Sequence, residues 1–314
     1  MTSPTGTTRG DRLRTILTTA VAAAALLLTG CTQGSAAPDP ATSSTAAQAS
    51  SAAPEPVGRY VALGDSYAAG PLIPTTDLAA GCARSDHNYG HLLADALDVH
   101  DFVDVTCSGA TTRDLTHVQA TFGDARVPPQ LRAVTPGTDL VTLGIGGNDL
   151  DLFGTLVGTC TRLRASDPTG SPCARALATN GPDLVAATRT ISANVTTALR
   201  EVRRRAPKAT VVLVGYLRLV PDHGTCRQLP LATGDYAEGR RISQVLDRAL
   251  QQAARRTGVR YVDMYDTSKG HDVCAADPWV NGGVTDRQRA LAYHPFASGM
   301  RADAARVVAA VGRG

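Results

Sequence analysis

Five short apolar runs, each ending in small or polar residues and separated by stretches of helical spacing, constrain this chain more than any other feature. They fall at residues 59–63, 102–106, 139–145, 210–214 and 259–264. The runs are continuous rather than alternating, as strands buried on both faces require. Residues 86–97 carry Tyr89, Leu92, Leu93 and Ala96 on one helical side. Ile191, Val195, Ala198, Leu199 and Val202 make a second stripe, and Arg203, Arg204 and Arg205 suit the C-terminal end of that helix before Pro207. Further helices are predicted over 239–256 and 296–311, and a short one, opened by proline, over 128–134. Strands alternating with helices predict a three-layer α/β/α sandwich on a five-stranded parallel sheet; if its order is flavodoxin-like, the first strand lies between the second and the third. No internal repeat is present.

The N-terminus does not belong to that pattern. Arg9, Arg12 and Arg14 precede an apolar run over residues 16–28, too short for a finished membrane span. Residues 1–30 therefore read as a secretory signal, ending in Leu27-Leu28-Thr29-Gly30-Cys31. That end resembles the lipobox of bacterial lipoproteins, which implies cleavage before Cys31 and acylation of its thiol. Each buried methylene of an acyl chain contributes about 0.8 kcal/mol, so several chains give a durable membrane anchor. Residues 31–56 are almost entirely Ala, Ser, Thr, Pro and Gly, the composition of a disordered tether. The rest, 57–314, has the size of one α/β domain. The expected location is extracytoplasmic: lipid-anchored at the cell membrane, or secreted.

Seven cysteines are odd for a secreted chain, but setting Cys31 aside leaves Cys82, Cys107, Cys160, Cys173, Cys226 and Cys274. An even set suits an oxidising compartment, with fifteen pairings open from sequence alone. No Cys-x-x-Cys suggests a zinc cluster. His87 and His91 have i, i+4 spacing but no intervening Glu in the second position and no clear third ligand, so no metal is expected. The formal net charge of +3 falls to +1 once the signal's charges are removed, and no basic patch asks for nucleic acid.

Chemistry-bearing residues collect at the strand ends. Gly64-Asp65-Ser66 follows the first run, Gly109 the second and Gly146-Gly147-Asn148-Asp149 the third, all on the rim where open α/β sheets bind ligands. The Gly144-x-Gly146 match to a dinucleotide fingerprint lacks its third glycine and is set aside. Ser66 would be a nucleophile. The N–H groups of Ser66 and Gly109 and the amide of Asn148 would form an oxyanion hole. The serine needs a base, and His294, just before the last helix, is the best placed of the seven histidines. The positive helix end there favours neutral imidazole. Asp65, beside Ser66, is read as a loop brace rather than as the acid of a triad. Leu152, Phe153, Leu156 and Val157, after the third run, would line an acyl pocket or join the core, the latter for most of them.

These four blocks together resemble the SGNH (GDSL) hydrolase superfamily. The resemblance covers about 57–314 and is closer still to its secreted actinobacterial lipases and esterases, through Tyr89, Val214-Gly215-Tyr216, Gly270-His271-Asp272-Val273-Cys274, Trp279-Val280-Asn281-Gly282 and His294-Pro295. It implies ester hydrolysis of lipid or short-chain acyl esters by Ser66 and His294, without a cofactor. It also implies three disulfides with sequential pairing: Cys82 to Cys107, Cys160 to Cys173 and Cys226 to Cys274. One position departs from the family pattern. Many members carry Asp three residues before the histidine, and here that residue is Leu291. The expectation is a Ser66–His294 dyad steered by the carbonyl of Leu291 or a neighbour, with Asp286 and Asp277 as rival acids. A carbohydrate deacetylase or acyltransferase would use the same site, and a catalytically silent surface binding protein would keep the fold without turnover. The folded domain is read as a monomer.

Overall fold

A computed structural model describes residues 56–181 and 183–312. The expected signal segment, Cys31 and all of the tether but residue 56 lie outside the described residues.

Five parallel strands form the main sheet: β1 (Arg59–Gly64), β2 (Asp101–Asp104), β3 (Leu140–Gly144), β4 (Thr210–Val214) and β5 (Arg260–Val262). Their order is β2-β1-β3-β4-β5, the flavodoxin-like order expected, with β1 paired to both β2 and β3. Tyr60, Val61, Ala62 and Leu63 of β1 and Leu140, Val141 and Leu143 of β3 are buried, which explains their unbroken apolar spelling.

The main helices are α1 (Ser66–Ala69), α2 (Tyr89–Ala96), α3 (Pro172–Asn180), α4 (Leu184–Arg205), α5 (Tyr236–Thr257) and α6 (Ala297–Val311). The long helices α4 and α5 pack together on one face of the sheet and α2 with α6 on the other. On α4, Ile191, Val195, Leu199 and Val202 are fully buried, matching the predicted stripe. Truncating one of them, such as Leu199→Ala, removes core contacts that typically cost about 2–5 kcal/mol. Asp183 caps α4 by accepting from the N–H groups of Val185 at 2.8 Å and Ala186 at 3.3 Å. At its other end Glu201 pairs with Arg204 and Arg205, both at 2.7 Å.

Three predicted elements shift. The 128–134 segment is a single 3-10 turn, Gln130–Ala133, because Gln130 turns inward to clamp the end of β1. The second helix starts at Tyr89 rather than 86, since the Asn88 side chain caps it by accepting from the N–H of His91 at 3.1 Å. The helix predicted over 239–256, α5, starts at Tyr236, three residues early, behind the turn Thr233–Asp235.

Disulfides join Cys82 to Cys107, Cys160 to Cys173 and Cys226 to Cys274, the sequential pairing that the resemblance implies. The middle one closes the insertion after β3, which runs through a π-helical stretch, Thr155–Cys160. Each bridge tightens a long excursion from the sheet.

Candidate active site

The end of β1 is held so closely that only particular residues fit. A Cβ on Gly64 would stand 2.5 Å from the Gly144 carbonyl oxygen, so that position must be glycine. Gln130, buried, accepts from the Gly64 N–H at 2.8 Å and donates to its carbonyl at 2.9 Å. The Asp65 N–H then donates to the Gly144 carbonyl at 2.9 Å, and the Asp65 carboxylate caps α1 by accepting from the Tyr67 N–H at 2.9 Å. Ser66 is the first residue of α1 and is buried except for its access to the rim.

His294 Nε2 lies 2.8 Å from Ser66 Oγ, although the two residues are 228 positions apart. Its Nδ1 donates to the Ala292 carbonyl at 2.7 Å, which leaves Nε2 as the acceptor. Tyr293, at φ +62°, turns the chain through the left-handed region so that this carbonyl doubles back under the ring. The expectation of a main-chain carbonyl near Leu291 therefore meets its neighbour, Ala292. The Leu291 carbonyl itself accepts from the His294 N–H at 3.1 Å and from Asn281 Nδ2 at 3.2 Å. Neither rival acid reaches the imidazole. Asp286 accepts from the Gln288 N–H at 3.0 Å, and the Asp277 carboxylate lies 3.5 Å from His271.

Burial pulls the imidazole pKa from 6.5 down to about 4, with the Ala292 hydrogen bond opposing. Desolvation is thus the leading cause of the low value, where sequence reasoning gave that role to the helix end. The rings of Tyr67 and Phe153 stand 5.5 and 5.8 Å from the imidazole.

Three donors lie just beyond the ends of β1, β2 and β3. Among the described residues, the N–H groups of Ser66 and Gly109 meet no protein acceptor. Asn148 Nδ2 donates one hydrogen to the Ala110 carbonyl at 2.9 Å, fixing the amide while leaving its second hydrogen available. Gly109 has φ +80°, a left-handed conformation that favours glycine, and it is exposed. Asp149 locks the second and third loops together, accepting from the Thr112 N–H at 2.8 Å, its hydroxyl at 2.6 Å and Asn194 at 3.1 Å.

Sequence reasoning missed several supporting side chains. Gln130 and Asp149 work through main-chain clamps that leave no periodic trace. Asn281, inside the Trp279-Val280-Asn281-Gly282 motif, holds its Nδ2 within 3.0 Å of the Val284 and Ala290 carbonyls, and its N–H donates to the His294 carbonyl at 2.9 Å. Tyr67 donates to the Tyr293 carbonyl at 2.8 Å, tying the Ser66 loop to the His294 loop. Asp65 braces its loop as expected, and burial pushes its carboxyl from 3.8 up to about 7 despite hydrogen bonds from Tyr216 and the Tyr67 N–H. His87 and His91 engage Asp86 and Asn88 instead of each other.

A cavity of about 40 Å³ lies beside Tyr67 and Tyr216, its wall completed in part by Leu152, Phe153, Leu156 and Leu246. Leu152 and Leu156 are thus both core residues and cavity wall.

A sheet of this order, carrying Gly64-Asp65-Ser66, Gly109, Asn148 and His294 along one rim, defines the SGNH class of ester-hydrolysing enzymes. The chain belongs to the GDSL-like Lipase/Acylhydrolase family, which residues 62–302 match. It is 40% identical over 273 residues to Lipase 2 of Streptomyces coelicolor, covering 84% of this chain and 85% of that one. Among solved structures, phospholipase A1 from Streptomyces albidoflavus and the extracellular lipase from Streptomyces rimosus each superpose with a TM-score of 0.65 at 29% identity, covering 81% of this chain and 99% of theirs.

Proposed function

We propose that the enzyme cleaves acyl esters by a Ser66–His294 dyad. The observation that carries this reading is the 2.8 Å contact between Ser66 Oγ and a buried imidazole whose other nitrogen is already committed. Ser66 Oγ attacks the ester carbonyl carbon while His294 Nε2 takes the hydroxyl proton. The carbonyl oxygen becomes an oxyanion held by the Ser66 N–H, the Gly109 N–H and Asn148 Nδ2. Collapse breaks the ester C–O bond, and the imidazolium returns its proton to the departing alkoxide, releasing the alcohol. Water then attacks the acyl-serine with its proton going to His294, and the free acid leaves as Ser66 regains its hydrogen. Loss of one oxyanion donor, as in Asn148→Ala, costs on the order of a hundred- to a thousand-fold in kcat.

The substrate is a lipid or short-chain ester, with only the first carbons of the acyl chain in the cavity behind Phe153. The apolar wall of Leu152, Leu156, Ile242 and Leu246 and the relatives' names as lipases support this choice over a carbohydrate deacetylase or an acyltransferase. The even set of paired cysteines supports an extracytoplasmic location, and the sequence ending at Cys31 supports a lipid anchor there. The test pairs a fluorophosphonate probe with p-nitrophenyl esters of rising chain length. Ser66→Ala should abolish both labelling and turnover. Retained turnover in that variant overturns the dyad, and exclusive use of acetylated sugars overturns the lipid reading. Mass measurement of the mature chain from its native envelope tests acylation of Cys31.

A further inference from the structure

Tyr216 lies two residues beyond β4, with β3 standing between it and the strand that delivers Ser66. Its ring nevertheless reaches across that gap. The Gly147 N–H donates to the Tyr216 hydroxyl at 2.9 Å, and the hydroxyl donates its own hydrogen to the Asp65 carboxylate. The other carboxylate oxygen accepts from the Tyr67 N–H at 2.9 Å. A single hydroxyl thereby joins the loops that follow β1, β3 and β4. Asp65 and Gly147 are buried, so neither has water as a ready substitute partner. The fit is close on both sides: a Cβ on Gly147 would meet the Tyr216 ring at 3.1 Å, and the Tyr216 and Tyr67 rings pack edge-on at 5.1 Å.

The groups tied by this hydroxyl are the chain neighbours of the groups that would do the chemistry. Asp65 and Tyr67 flank Ser66, and Gly147 precedes Asn148. We propose that Tyr216 is a positioning residue that fixes the separation between the Ser66 N–H and the Asn148 amide, and hence the width of the oxyanion hole. This rests on the dyad and oxyanion hole proposed above. Donors act fully only within about 0.2 Å of their best distance to the developing charge, and here two of them sit on separate loops. The Asp65 N–H to Gly144 carbonyl bond joins those loops below the site, at the strand ends. Above it, at the level of the reacting atoms, Tyr216 is the brace. Its ring also lines the cavity proposed for the acyl chain, a contact that Tyr216→Phe keeps, and its hydroxyl bonds Gly147 and Asp65 rather than Ser66 Oγ, so removing the hydroxyl should weaken the transition state more than the bound ester.

The experiment compares Tyr216→Phe with Tyr60→Phe. Tyr60 is fully buried on β1 and its hydroxyl lies 2.7 Å from the Thr142 hydroxyl, so that variant also loses a buried hydroxyl but leaves the two loops alone. Turnover is expressed per site titrated with the fluorophosphonate, which removes any misfolded fraction. For Tyr216→Phe, kcat per labelled site should fall by about ten- to fifty-fold with KM within about two-fold, and an alkyl boronic acid that forms a tetrahedral adduct should bind weaker by a matching factor. Tyr60→Phe should lower the melting temperature with kcat per labelled site unchanged. Near-normal kcat per labelled site in Tyr216→Phe, or a rise confined to KM, overturns the proposal. If Ser66→Ala keeps its turnover, the dyad itself fails, and the two failures are thereby told apart.

Discussion

Ser66 and His294 reach their 2.8 Å contact from unlike foundations. Ser66 leaves the end of a central strand, clamped by Gln130, by the Gly144 carbonyl and by a carboxylate. His294 hangs in an irregular stretch ahead of α6, where its ring is steered by a main-chain carbonyl and the stretch is tied by Asn281 and Tyr67. The difference has an electrostatic consequence. A carboxylate beside the imidazole would favour its charged form, whereas a neutral carbonyl offsets only part of the burial penalty, so the pKa stays near 4. The two halves also respond oppositely to acid. Asp65, with a folded pKa raised to about 7, makes stability fall as pH rises from 3.8 towards 7. His294, with a lowered folded pKa, makes stability rise with pH between about 4 and 6.5.

Removing either member of the dyad gives the largest expected effect. Ser66→Ala and His294→Ala should each lower kcat/KM on the order of ten-thousand-fold or more, measured by ester turnover. Only the serine variant should lose fluorophosphonate labelling outright, the histidine variant labelling slowly. Next comes the tie that holds the histidine stretch. Asn281→Ala frees the Val284, Ala290 and Leu291 carbonyls of their shared donor and should cost roughly ten-fold in kcat and a few degrees in melting temperature. An unchanged kcat would mean the stretch is stiff without it.

The contrast in pKa gives the third test. Because the working base is neutral, the acid limb of kcat/KM should fall near pH 4, well below the 6.5 of free imidazole. Restoring a carboxylate with Leu291→Asp should move that limb upward by about a unit or more, since an opposite charge favours imidazolium. A limb already at 6.5 in the parent enzyme would remove the distinction between carbonyl and carboxylate support. The smallest effects belong to the rival acids: Asp286→Ala and Asp277→Ala should stay within about two-fold of full turnover by steady-state kinetics, because their carboxylates bond elsewhere.

Continuous apolar runs and helical stripes made the parallel sheet and the long helices legible, because burial on both faces leaves only one kind of spelling, whereas the strand order rests on the flavodoxin-like pattern rather than on the runs. Ser66, Gly109 and Asn148 could be placed from the sequence at strand ends and His294 just before the last helix, and the structure puts His294 Nε2 2.8 Å from Ser66 Oγ. What stayed hidden acts through the main chain. The Gln130 clamp replaces a predicted helix with a turn, and an amide side chain can do so from many sequence positions. The carbonyl that steers His294 belongs to an alanine and becomes useful only because Tyr293 takes a left-handed turn. Tyr216 and Asn281 stood inside noticed motifs, but their partners lie on other loops, and single-sequence patterns carry no such pairing.

The 228 residues between Ser66 and His294 also set a schedule. A ribosome adding about 5–20 residues per second needs roughly ten to forty-five seconds to pass from one to the other. If the dyad proposed above carries the chemistry, the nucleophile is made before its base, and hydrolytic competence waits until the stretch that holds His294 has been made and docks beside Ser66.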